Sequence, residues 1–179
     1  MLELVARARQ FAIDAHGAID HRRKYSGEPY HVHLERVAAM VEAAGGDAET
    51  IAAAWLHDVV EDTPTTFAQL EQLFGPSVAS LVEAMTDVPH SLGNRAKRKE
   101  IDRARLAAAD ARVHNVKLAD LTDNLRDICR HDKHFGRVFL KEANALMRVL
   151  DKGSPALIQG ASLAAQECRQ LVGNGRRVL

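Results

Sequence analysis

A chain of 179 residues and 19.7 kDa fits one domain. Its 24 Lys+Arg balance 24 Asp+Glu, which argues against a general nucleic-acid binder but leaves room for a local basic pocket. Hydrophobic residues make up 46% and aromatic ones only 4%, so disorder and disulfide-scaffold classes are excluded and the core is expected to be aliphatic, alanine-rich and helical.

The opening MLELVARARQ lacks the apolar run of a secretory signal. Leu4, Ala8, Phe11, Ala12 and Ala15 recur at helical spacing, which predicts an amphipathic helix over 2–17 ending near Gly17. Residues 18–30 break that period, carry Gly27 and Pro29, and read as a loop with a basic start. A second helix is expected over 31–44, closed by Gly45-Gly46. Asp47 caps a third that continues through IAAAWLHDVV to about Asp62, where Pro64 stops it. Thr66 with Gln69 forms a capping box for a short helix ending at Gly75, and Pro76 opens the next, over 77–87. After the loop VPHSLGN, helices are expected over 95–109, 113–130, 134–150 and 154–172, with GNGRR fraying at the end. No segment alternates with period two. The expected fold is all-α, a single domain over 1–179 with eight to ten helices.

The longest stretch free of Asp, Glu, Lys and Arg, Gly153 to Gln166, has 14 residues, too few to span a membrane. The expectation is a soluble, cytoplasmic protein with no membrane or nucleic-acid partner, and homo-oligomer formation is left open. Cys129 and Cys168 lie 39 apart without a CxxC pattern and read as two buried free thiols.

Chemistry concentrates in AWLHDVVEDT, Ala54 to Thr63. On one helix, His57/Glu61 and Asp58/Asp62 would be i,i+4 pairs on neighbouring faces. Three carboxylates within five residues repel one another at a helix C-terminus, where the dipole also disfavours them. Local stability does not explain that choice; a bound cation does. A second acidic group, VKLADLTDNLRD, places Asp120 and Asn124 on one helical face. HVH adds His31 and His33, which point about 200° apart on a helix, so only one of them faces a given ion.

GEPYHVH, HDVVEDT and VKLADLTDN, in this order and spacing, resemble the HD-domain hydrolases of the RelA/SpoT alarmone enzymes, and among them the small stand-alone type, over roughly residues 2–150. The resemblance implies an HD-type helical bundle with one manganese ion per chain and removal of the 3′-pyrophosphate from (p)ppGpp. By position it implies metal ligands His33, His57, Asp58 and Asp120, with Glu61 and Asp62 activating or positioning the attacking water. It likewise implies Arg23 packing on the base, assisted by Lys24, and Asn124 near the nucleotide sugar.

The likeness departs from the family at three places. Leu121 stands where a basic residue is common, MTDVPHS lacks another, and LAAADARVH replaces a small-residue phosphate loop. On the basic helix 95–105, Lys97 and Arg98, with Lys99 and Arg103, are the expected substitutes for the missing phosphate contacts, against the plainer reading of a solvated face. The departures keep open an HD phosphohydrolase for another nucleotide, such as an adenine alarmone or the 2′-phosphate of NADPH; a silent nucleotide sensor is the alternative from another class, against which the intact Glu61 and Asp62 argue. Trp55 reads as core, and His16, His21, His90, His114, His131 and His134 as surface or loop residues.

Overall fold

The computed structural model describes residues 2–173, so most of the GNGRR segment lies outside the described residues. Ten α-helices follow in order: α1 Leu2–Gly17, α2 His31–Ala43, α3 Ala48–Leu56, α4 Val59–Asp62, α5 Phe67–Phe74, α6 Pro76–Met85, α7 Arg95–Ala108, α8 Ala111–His131, α9 Lys133–Met147 and α10 Pro155–Gly173. A 3-10 turn at His90–Leu92 precedes α7. Among the described residues the only extended pairing is an isolated bridge between Arg22 and Pro29, which folds the 18–30 loop back on itself. No described helix is long and apolar enough to cross a membrane.

Helix starts sit where short polar side chains satisfy otherwise unpaired N–H groups. Asp47 accepts from Thr50 N, Asn94 from Lys97 N, and Asp110 from both Arg112 N and Val113 N. Thr66 and Gln69 form the reciprocal capping box, and Pro76 begins α6.

Helix α8 is the axis of the bundle. Its Val113, Val116, Leu118 and Ala119 join the main core built from α1, α2, α3 and α6, which includes Trp55. Its Leu121, Leu125 and Cys129 join a second cluster with α9 and α10. The turn before α10 presses on α8 so closely that a Cβ on Gly153 would meet Leu118 Cδ1 at 2.3 Å. Any larger residue there would require the Leu118 side chain to move.

Three expectations are corrected. The helix expected over 47–62 is interrupted at His57–Asp58, where Asp58 takes φ −103° and ψ −3° and opens the four-residue α4. This bridge conformation lets two successive polar side chains turn toward one point. His16 and His114 are buried, not surface residues. His114 donates from Nε2 to Leu106 O at 2.8 Å and accepts from Lys152 N at 3.1 Å, pinning α7 and the α9–α10 turn to α8. Cys129 and Cys168 are not free thiols: α8 and α10 lie side by side, bring their Cα atoms to 5.2 Å, and the two form a disulfide.

That bridge closes a loop of 39 residues, so chain entropy alone assigns it roughly 2–4 kcal/mol. Cys168→Ser should lower stability by that order in a urea titration, and added reductant should lower the wild-type midpoint similarly. Equal midpoints for oxidised protein and variant would show that the pair contributes nothing.

Candidate metal centre and active site

Three segments far apart in sequence converge. Helix α2 directs His33 inward and leaves His31 partly exposed, the α3–α4 junction supplies His57 and Asp58, and α8 supplies Asp120. His33 Nε2 lies 3.6 Å from Asp58 Oδ2 and 3.3 Å from Asp120 Oδ1; His57 Nε2 lies 3.1 and 3.7 Å from the same two oxygens. Both Nε2 atoms are buried and have no hydrogen-bond partner. Orphaned buried polar atoms are costly, and donor atoms at this spacing suit a single divalent ion. The residues present therefore fit a metal.

Their outer contacts fix the imidazole orientations. His57 Nδ1 donates to Ala54 O at 2.8 Å, and His33 Nδ1 donates to Asp123 Oδ2 at 2.7 Å, so both turn Nε2 inward. Tyr30 OH donates to Asp58 Oδ2 at 2.6 Å, while Asp120 accepts from Asn124 Nδ2 on Oδ1 and from Lys117 Nζ on Oδ2, the latter at 2.9 Å. Burial disfavours charge on His33, but the neighbouring Asp120 carboxylate and the hydrogen bond to Asp123 prevail and raise its pKa. His57 is raised well above the ordinary value against burial by Asp58 and Asp120. Burial pushes the Asp58 and Asp120 carboxyls up, yet His57 beside the first and Lys117 beside the second hold both down. The centre is built to gather positive charge.

Glu61 and Asp62 sit one turn beyond, on α4. Desolvation and then the charge of Asp58 push Glu61 up to about 7 and Asp62 up to about 6. Glu61 Oε1 accepts the Asp87 backbone N–H at 2.8 Å. Asp62 Oδ2 stands 3.9 Å from His21 Nδ1. His16 and His21 meet Nδ1 to Nδ1 at 2.9 Å, with ring centroids 5.2 Å apart and planes 22° apart. That separation is the nitrogen gap plus one ring radius on each side, the mark of an end-on N–H···N bond. It leaves neither Nδ1 lone pair for an ion, although His16, His21 and Asp62 could otherwise be grouped as ligands.

Arg23 is buried to 7% exposure. Its NH1 donates to Asn124 Oδ1 at 2.8 Å, and its NH2 lies 3.4 Å from Asp123 Oδ2 and 3.0 Å from Asp127 Oδ2. With Lys24, Tyr25, Tyr30, His21 and Asn124 it lines a cavity of about 220 Å³ beside the centre. Lys24 is exposed, its ammonium 5.2 Å from the Tyr25 ring. Lys97 pairs with Glu100, and Arg98 donates to Gly93 O, both on the exposed side of α7. Lys99 and Arg103 instead line a small cavity with Lys117. The sequence places Asp123 and Asp127 in the second acidic cluster without giving them a role, and it gives no signal for Tyr30 or Lys117, although these stand inside GEPY and VKLADLTDNLRD.

Two outcomes follow. His33→Ala and Asp120→Ala should each lose most bound metal by elemental analysis, whereas His31→Ala should keep it; the reverse pattern within HVH would reassign the ligand. Arg23→Ala strands two buried carboxylates, so it should cost roughly 3–5 kcal/mol in chemical denaturation. A cost below about 1 kcal/mol, the range of exposed pairs, would show that Arg23 is not held as an ion pair.

Residues 8–146 match the HD domain family. A probable guanosine-3′,5′-bis(diphosphate) 3′-pyrophosphohydrolase of Synechocystis is 43% identical over 129 residues, which is 70% of this chain and 17% of that protein. The bifunctional (p)ppGpp synthase/hydrolase SpoT of Escherichia coli K12 is 39% identical over 128 residues, 69% of this chain and 18% of that protein. The chain thus spans under a fifth of the length of these curated relatives. Among solved structures, a metazoan ortholog of SpoT that hydrolyzes ppGpp superposes with TM-score 0.82 at 29% identity, covering 92% of this chain and 94% of that one. For lmo0812 from Listeria monocytogenes EGD-e the TM-score is 0.68 at 24% identity, with 82% and 99% coverage, a likeness of fold alone. The HD pair His57–Asp58 stands inside the matched region, and the chain belongs to the HD domain family.

Proposed function

We propose that this chain is a metal-dependent hydrolase that removes the 3′-pyrophosphate from (p)ppGpp, giving GDP or GTP and pyrophosphate. The observation that carries the reading is geometric: four donor residues converge around two buried Nε2 atoms without partners, one turn from the carboxylates of Glu61 and Asp62. The names of the Synechocystis and Escherichia coli relatives and of the metazoan SpoT ortholog, each for a (p)ppGpp enzyme, support the substrate class. We take the ion to be manganese, one per chain, held by His33, His57, Asp58 and Asp120. Two imidazoles and two carboxylates suit divalent manganese, iron or zinc. Such an ion, when bound, acidifies water and polarises a phosphoryl oxygen.

In this reading Glu61 and Asp62 orient the attacking water and take its proton. The water oxygen bonds to the phosphorus attached to O3′, the P–O3′ bond breaks, and O3′ leaves with a proton. Tyr30 keeps Asp58 in place through its hydroxyl, and Lys117 does the same for Asp120. The nucleotide occupies the cavity beside the centre, with Lys24 at its rim, Arg23 offering its guanidinium face and Asn124 near the sugar. We place the reaction in the cytoplasm, where guanine nucleotides are found. A reducing milieu there acts on the Cys129–Cys168 bridge, which joins α8 to α10 and touches no ligand.

A second reading has one observation in its favour. Lys97 and Arg98, the residues expected to replace the family's phosphate contacts, are engaged on the outer side of α7. A related nucleotide with a differently placed phosphate would fit that arrangement. A panel assay with added manganese, following phosphate and pyrophosphate release from several nucleotides, separates the two.

Glu61→Gln and Asp62→Asn keep shape and remove basicity. Metal content and nucleotide binding by calorimetry should survive, while single-turnover pyrophosphate release falls by roughly 10²–10⁴-fold, the range of a general base. Wild-type turnover in both variants would overturn the mechanism. Tight binding of (p)ppGpp by wild type without cleavage, whatever the metal, would make the protein a sensor.

A further inference from the structure

Helix α7 carries more basic residues than any other helix, and neither a phosphate site nor a solvated face accounts for what three of its side chains do. Lys99, Asp102 and Arg105 are spaced by three, so they share one face of the helix. All three reach the end of α6 and the loop that follows it. Arg105 donates from NH1 to Thr86 O at 2.9 Å and from NH2 to Glu83 O at 3.0 Å. Asp102 Oδ1 accepts the Val88 N–H at 3.0 Å. Lys99 Nζ donates to the Asp87 carboxylate. The segment from Glu83 to Val88 is thereby held by side chains from α7 at four points.

The middle member separates this from ordinary surface pairing. Asp102 is only 6% exposed on a strongly charged helix; Lys99 and Arg105 each stand 3.9 Å from its oxygens, and its Oδ2 has no hydrogen-bond partner. A solvated face does not bury a carboxylate, because desolvating one is expensive unless the fold uses it. What the fold gains is the orientation of one peptide. The Asp87 N–H, between the points fixed by Arg105 at Thr86 O and by Lys99 at the Asp87 carboxylate, with Asp102 holding the next N–H, donates to Glu61 Oε1 at 2.8 Å. Glu61 itself stands on α4, a single turn of four residues, too short to be a rigid support alone.

We propose that the Lys99–Asp102–Arg105 face of α7 is a clamp that positions Glu61 through the backbone of Asp87. The inference rests on the reading of Glu61 as a water-activating residue. It departs from the expectation for this helix: Lys99 is a positioning residue spent on Asp87, not a free cation for the substrate's phosphates.

The test combines kinetics with a direct view of the Asp87 amide by nitrogen-15 NMR of the full chain. Glu61→Gln should move the Asp87 amide resonance, because the acceptor loses its charge. Asp102→Leu should move it as well, and Asp102→Asn, which keeps an acceptor for Val88 N–H, should restore it in part. In Asp102→Leu and Lys99→Met, kcat should fall on the order of 10–100-fold with KM within about twofold, as expected for misplacement of one group. Metal content should stay at the wild-type level. The acidic limb of the pH–rate profile should move to higher pH in both variants, since a hydrogen bond that favours the charged carboxylate is lost. Should Asp102→Leu not fold, the more exposed Lys99→Met carries the same measurements.

An Asp87 amide that ignores Glu61→Gln would overturn the clamp. So would a Lys99→Met enzyme with raised KM and unchanged kcat, which would return the helix to substrate phosphates. If wild type hydrolyses none of the nucleotides offered, the proposed function falls, while the amide shifts still decide whether the clamp exists.

Discussion

Two buried imidazole nitrogens without hydrogen-bond partners, facing the buried Asp120 and half-buried Asp58 carboxylates, are the constraint on which the rest of this protein depends. Withdrawing such groups from water costs several kcal/mol each unless every remaining lone pair and proton is matched. The matching is visible on all sides: Ala54 O under His57, Asp123 under His33, Tyr30 on Asp58, Lys117 and Asn124 on Asp120. Only the inward Nε2 atoms stay unanswered, and a divalent ion answers them. An aliphatic core suits this arrangement, since α2, α3 and α8 must pack closely enough to bring their polar tips to one point.

The loop of residues 18–30 is joined to that point by two short hydrogen-bonded routes. Arg23 reaches Asp120 through Asn124, and it reaches His33 through Asp123. A change at Arg23 therefore reaches groups that orient His33 and Asp120. The 18–30 loop and the centre are electrostatically one unit, so such a change is felt beyond the cavity that Arg23 lines.

Helix positions were legible because caps and apolar periodicity are local signals: Asp47, the Thr66–Gln69 box and Pro76 fall where the structure uses them. Much of the candidate centre was legible for a different reason, the cost of clustered acids in HDVVED and KLADLTDN, which only a ligand relieves. What escaped depends on tertiary proximity. The break at Asp58 is imposed by the centre, not by any helix breaker in the sequence. His16 is buried because α1 packs against the 18–30 loop, where His21 and Tyr30 lie against it. The Cys129–Cys168 bridge needs α8 and α10 side by side, which a separation of 39 residues does not announce. The choice of His33 over His31 came from family likeness, and the geometry turns His33 toward the other donors.

The basic helix α7 illustrates why charge composition alone is a poor guide to partners. Six of its residues, Arg95, Lys97, Arg98, Lys99, Arg103 and Arg105, are cations, enough to suggest an anionic ligand. Arg95 is taken by Glu142 and Lys97 by Glu100. Arg98 is taken by a carbonyl, and Lys99 and Arg105 by the segment that faces Glu61. Positive charge here is used internally, to hold a neighbouring loop and offset a buried aspartate. The balance of 24 against 24 across the chain is in that sense a structural statement: many acids have a base assigned to them, and the centre that lacks enough positive charge is the one that calls for an ion.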